Sequence, residues 1–269
     1  MQKTIDVAVQ DLYQALPFTP AKAEVDRFAA DLLVVSHPLM KAAVREFIAG
    51  RSPKLQPGAA WREEVLRIYN RKVAENAQMF PLFHSFECAF RATTAAILES
   101  HYKIQRWWAP VLTFATSSAG PTAMRIGVVD ADLTTVLRIK SMLQDVITRT
   151  AEFASLKTGY DVLDHADISH VQQMIKVHWN QMSPMFVRNG QQLSIADFDA
   201  KFSRVRIARN IVYHHRSLAN KPLVYETTSD LLAYLGFDMS KVHRRIRNAQ
   251  PLAPPYWSTD ADLSDGGGV

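Results

Sequence analysis

The sequence predicts an all-α fold, a helical bundle with an additional N-terminal helical region. Three observations lead there. Apolar residues recur at helical spacing along most of the chain, prolines and glycines fall between those periodic segments, and Ser194–Asp197 carries a helix-start signature. The 269 residues are 48% hydrophobic and 21% charged, enough to bury a core and too apolar for a wholly disordered chain.

Residues 4–16 and 21–49 read as two or three helices, punctuated by Pro17, Pro20 and Pro38. Gly50 to Gly58 reads as a turn-rich linker, which suggests an N-terminal region over 1–58. A helical stretch follows from about Ala60 to Ile104, with Pro81 as a break or kink. The segment 109–130 is less regular, and Val111–Thr116 reads as a short strand. Helix resumes from Ala131 to Leu156, with apolar Leu133, Val136, Leu137, Leu143, Val146 and Ile147. Ile168–Met182 reads as another helix, favoured at its start by Asp167. Asn189-Gly190 marks a turn. Beyond it Ile195, Phe198, Phe202, Val205 and Val212 form a core-facing stripe. A last helix is expected over Ser229–Arg247, followed by a mobile tail at 250–269 rich in Pro, Asp and Gly. The main helical domain then spans 59–249.

No window approaches the ~18 apolar residues that span a bilayer, and the first residues lack the apolar core of a secretory signal. A cytoplasmic protein with no membrane partner is expected. The single Cys88 excludes an internal disulfide, and between Phe86 and Phe90 it reads as a buried small hydrophobe.

Charge is uneven. The net +5 arises from residues 201–250, which hold ten Lys/Arg against three Asp/Glu, while the remainder is slightly acidic. Such a concentration fits a phosphate-bearing partner, and equally a solvated helix face. Within it lies Arg204-Val-Arg-Ile-Ala-Arg-Asn-Ile-Val-Tyr-His-His-Arg216. Arginine holds phosphate bidentately and stabilises charge building on a phosphorane, and histidine moves protons near neutrality. Together they suffice for attack of a ribose 2′-hydroxyl on its own phosphate. An Arg followed loosely by a His is common by chance. Arg209 with Asn210 next to it and His214 four residues further on is far more restrictive.

Geometry qualifies the idea. On one continuous helix Arg209 and His214 diverge by about 140°, whereas Asn210 and His214 are neighbours. Either the helix ends near Tyr213, or a second copy of the chain completes the site.

The segment Arg209-Asn210-Ile-Val-Tyr-His214-His215 resembles the Arg-polar-x-x-x-His signature of HEPN domains, in particular the Abi-like (abortive infection) branch. Tyr69, Asn70, Phe80-Pro81-Leu82, Glu87, Ala89 and Arg91 are similar to the upstream helix of that family, and Trp107-Trp108 to the tryptophan pair after it. The likeness covers roughly 60–247, with Arg216-Ser217 departing from the acidic-Pro that often follows the histidines. It implies a HEPN-like bundle and a metal-independent endoribonuclease without cofactor, acting as a homodimer with a composite active site. Such a toxin or phage-defence effector acts on RNA and implies an antitoxin or regulatory partner. In this reading Arg209 binds the scissile phosphate, His214 is the acid/base and Asn210 orients the site. His215, Arg206, Arg216, Glu87 and Arg91 contact substrate or shape the cleft. A non-catalytic HEPN module that binds RNA or scaffolds remains the alternative.

Plainer readings stand beside these. Glu87 and Arg91 form an i,i+4 ion pair equally well. Trp107-Trp108 favours core packing over base stacking. Asp161, Asp164, His165, Asp167, His170 and His178 repeat no metal-ligand spacing and read as an acidic helix start. Lys241–Arg247 either grips RNA backbone or places cations at a helix C-terminus.

Overall fold

The computed structural model describes residues 2–50, 60–117, 120–151 and 153–239. The expected linker, the basic segment Lys241–Arg247 and the tail at 250–269 lie wholly or almost wholly outside them. The fold is all-α, as the helical spacing predicts. The described residues divide into two compact units: those up to Phe80 with 209–220 form one, and those over 81–208 and 221–239 the other. Sequence composition places a boundary at 58, whereas this division falls at Phe80.

The first unit holds α1 (Gln2–Ala15), α2 (Lys22–Asp31), α3 (His37–Gly50) and α4 (Trp61–Ala77). Leu12, Phe28, Met40, Val44, Trp61, Val65 and Leu66 are among its fully enclosed residues. Their recurrence at helical spacing directs one stripe of each helix inward. Trp61 anchors this core, edge-on to Phe28 at 5.2 Å and to Tyr13 at 5.8 Å. Its indole N–H donates to Glu24. Beside it Arg62 forms a buried two-point ion pair with Asp31, at 2.8 and 3.0 Å. Removing two charges from water is costly, and the paired geometry offsets that cost.

The second unit begins just after the start of α5 (Phe80–Tyr102). Pro81 sits in the first turn of α5, where its missing N–H has no helical partner, so the chain breaks between α4 and α5. A 3-10 turn (Ala109–Val111) leads into α6 (Leu112–Thr116). The expected strand at Val111–Thr116 is therefore helix. The strands lie just beyond, as an antiparallel hairpin of β1 (Met124–Ile126) and β2 (Val129–Ala131). Gly127 at its turn has φ +55°, and a Cβ there would collide with the Tyr102 carbonyl oxygen.

The helix α7 (Leu133–Arg149) is capped by Asp132, whose carboxylate accepts from the Thr135 N–H. Its buried face is Val136, Ile139, Met142, Leu143 and Val146, while Leu133 and Leu137 are exposed. Thr158 and Asp161 form a capping box on α8 (Gly159–His165). The expected Ile168–Met182 helix is interrupted at His178, giving α9 (Ile168–Val177), capped by Asp167, and α10 (Trp179–Met182). Asn189 and Gly190, both at positive φ, make the two-residue turn between β3 (Val187–Arg188) and β4 (Gln191–Gln192).

The helix α11 (Ile195–Tyr213) starts with Ser194 Oγ accepting from the Asp197 N–H. Phe198, Phe202, Val205 and Val212 are fully buried as the stripe predicts, but Ile195, in the first turn, is exposed. Within the second unit Phe202 packs on Phe86 at 4.8 Å and edge-on to Phe90 at 5.1 Å. The last described helix, α12 (Lys221–Tyr234), starts eight residues before the expected Ser229, with Pro222 in its first turn.

Candidate active site

The helix α11 ends at Tyr213, the first of the two alternatives the sequence leaves open. The end is a Schellman turn. The Arg216 N–H bonds the Ile211 carbonyl and the His215 N–H bonds the Val212 carbonyl, both at 2.9 Å. His214 is the C-cap, its N–H still bonded to the Asn210 carbonyl at 3.0 Å. His215 takes the left-handed position with φ +53°, which glycine normally fills. A β-carbon in that conformation costs on the order of 1 kcal/mol, so local preference alone does not account for the turn.

Tertiary contacts within the first unit hold it. Asn76, buried near the end of α4, donates its amide to the Arg216 carbonyl at 3.0 Å. The Ser36 hydroxyl, just before α3, donates to the His215 carbonyl at 3.1 Å. Ser36 is itself held, its N–H donating to the Tyr69 hydroxyl at 3.0 Å. Tyr69 and Asn76 lie seven residues apart on α4, two turns along one face.

On this scaffold the predicted residues are arranged as follows. The Arg209 guanidinium lies over the Tyr213 ring, 4.1 Å from its centroid, and donates to Asn210 Oδ1 at 3.1 Å. Phe80 meets the Tyr213 ring at 5.1 Å. Arg209 and Asn210 are half-buried, whereas His214, His215 and Arg216 are exposed. The carbonyl-rich end of a helix favours cations, which suits this gathering of guanidinium and imidazole groups.

The other expected contacts belong to the second unit. Arg206 Nε donates to buried Gln172 at 3.1 Å, and the Gln172 amide donates to Asp199 and Ser203. Arg91 and Glu87 form the i,i+4 pair at 3.4 Å. Arg91 is buried and also donates to the carbonyls of Leu163 and Ala166, closing the C-terminal end of α8. These donors serve carbonyls of the fold itself. Trp107 and Trp108 are completely enclosed.

The histidine and aspartate run over 161–178 disperses. Asp161 and Asp167 cap helices, and the backbone and Thr158 donors at Asp161 hold its carboxyl below the usual range. Among the described residues no group of three or more His, Cys, Asp or Glu is placed to hold a metal ion. His178 is buried by itself. Burial lowers its pKa to about 4, which keeps the ring neutral. Its Nδ1–H donates to the Met174 carbonyl at 2.8 Å, and Nε2 accepts from the Tyr102 hydroxyl at 2.6 Å. Cys88 departs from expectation: it is only half-buried, with its sulfur 3.6 Å from the exposed His84 ring one turn back.

Sequence reasoning missed Ser36 and Asn76. The available signal was a polar amide on the buried stripe of α4, in register with Tyr69. Fold and site together define an all-α protein with a guanidinium–amide–imidazole group gathered at a helix C-terminus. No family model, curated protein or solved structure matches the chain. Among the described residues no helix is long and apolar enough to cross a membrane.

Proposed function

We propose that this chain is a metal-independent endoribonuclease of HEPN type, a toxin or phage-defence effector that cleaves RNA by 2′-hydroxyl attack. The observation that carries the reading is the end of α11. Arg209 and Asn210 are joined side chain to side chain, and His214 is presented, exposed, at the C-cap one turn on.

The chemistry needs a group to take the 2′-hydroxyl proton, a cation for the charge on the phosphorane, and a proton for the departing 5′ oxygen. His214 does the proton transfers. Arg209 binds the non-bridging phosphate oxygens, and Asn210 orients the guanidinium through its amide oxygen. The 2′ oxygen bonds to phosphorus and the phosphorus–5′ oxygen bond breaks. The products carry a 2′,3′-cyclic phosphate and a 5′-hydroxyl. In a homodimer with a composite active site, Arg209 of one copy works with His214 of its partner.

The test is incubation of the full chain with single-stranded RNA in EDTA, beside Arg209→Ala and His214→Ala. Cleavage by wild type, cyclic-phosphate ends and a loss of about 100-fold or more in each variant are expected. Expression of wild type should arrest growth and both variants should be tolerated. RNA binding with no cleavage by any of the three would make the chain a binding module. Equal toxicity of all three would overturn the assignment.

A further inference from the structure

The structure assigns a role to two residues outside the Arg-Asn-x-x-x-His segment: we propose that Asn76 and Ser36 are positioning residues that set the reactive geometry of His214. This rests on the nuclease reading of the α11 end. The Schellman bonds close the turn carrying His214 and His215, but its local sequence disfavours that conformation. It lacks glycine at the left-handed position, and its side chains from His214 to Arg216 are exposed. The carbonyls of His215 and Arg216 nevertheless each accept a side-chain hydrogen bond. Asn76 donates to Arg216 across 140 residues of sequence, and Ser36 donates to His215 across 179.

The donors come from different elements and differ in setting. Asn76 is 4% exposed and lies on the same face of α4 as Tyr69, which accepts from the Ser36 N–H. The clamp is therefore one linked network, in the order Asn76, α4, Tyr69, Ser36. It grips peptide groups and leaves both imidazole rings to solvent. Holding the backbone immediately after a catalytic C-cap restricts where its Cβ points, and displacement of a reacting group by about 1 Å costs roughly 100-fold in rate. Arg209 is seated separately, by Tyr213 and Asn210, so the clamp acts on the proton-transfer group more than on phosphate binding.

The experiment compares wild type, Asn76→Leu, Ser36→Ala and Ser36→Thr in full-length protein. It measures cleavage of a fluorescent single-stranded RNA in EDTA between pH 5 and 8, and the ring proton resonances of His214 and His215. Asn76→Leu should lower kcat about 100-fold with KM changed less than about threefold. Ser36→Ala should lower it several-fold, and Ser36→Thr, which keeps the hydroxyl, should restore it. In the two damaging variants the histidine resonances should shift or broaden. Should Asn76→Leu fail to fold, the half-buried Ser36 pair decides. Wild-type kcat and unchanged resonances in Asn76→Leu and Ser36→Ala would overturn the positioning role while leaving the nuclease reading intact. A wild-type protein that cleaves no RNA would instead overturn the nuclease reading. The histidine resonances would then decide whether the clamp orders the turn.

Discussion

The side-chain amide of Asn76 lies 3.0 Å from the carbonyl oxygen of Arg216, and this bond fastens the end of α11 to α4. The second tie, from Ser36 to His215, stands one residue away. Between them they hold a left-handed histidine that the local sequence disfavours.

Replacing His215 by glycine tests that strain. Glycine occupies the left-handed region freely, so His215→Gly should be neutral or stabilising by up to about 1 kcal/mol. A glycine replacing an ordinary loop residue would instead lower stability. Thermal unfolding measures it, and a clear drop in Tm would show that the His215 side chain contributes more than the left-handed conformation costs.

Arg209→Lys should not substitute for arginine. The planar guanidinium stacks on Tyr213 and reaches Asn210 in the same pose, and an ammonium cannot do both. Cleavage should fall at least about tenfold despite the retained charge. Full activity in Arg209→Lys would mean that point charge alone is required.

The buried Tyr102–His178 pair makes stability depend on pH. The His178 pKa is lowered to about 4 from an unfolded value near 6.5. Between those values the unfolded chain binds a proton that the folded chain refuses. The contribution is complete above about pH 6.5 and is lost as pH falls toward 4, amounting to about 3 kcal/mol. Denaturant unfolding from pH 7 to 4 should show this slope, and His178→Asn should flatten it. An equal slope in the variant would place the dependence elsewhere.

The Asp31–Arg62 pair is buried on both sides. Asp31→Ala should therefore cost about 3–5 kcal/mol, because it strands a guanidinium in the core. The double change Asp31→Leu with Arg62→Met should cost less than the single one. Urea midpoints compare them, and an additive double loss would argue against charge stranding.

Arg91→Ala separates a fold role from a substrate role. Its donors engage Glu87, Leu163 and Ala166, so the variant should lose about 2–4 kcal/mol of stability. RNA affinity per folded molecule should stay near wild type. A stable variant with weakened RNA binding would return Arg91 to the cleft.

Local chemistry was legible wherever it sufficed. Asp167 and Ser194 start helices because their side chains satisfy backbone N–H groups a few residues away. Pro81 ends one helical stretch and opens the next for a similarly local reason. Val111–Thr116 misled because a short apolar run has no periodicity to separate strand from helix. That Leu133 and Leu137 are exposed was not legible, because only the neighbours around α7 decide which of its apolar residues are covered.

The sequence by itself determined that the chain is helical, where most helices begin, and that a guanidinium, an amide and two imidazoles fall within one short segment. Spacing and side-chain chemistry act over a few residues, so they can be read along the line. Only the tertiary structure decided that Ser36 and Asn76 grip that segment and that Arg91 closes α8. A hydrogen bond between residues 140 positions apart leaves no periodic trace, because folding alone brings its donor and acceptor together.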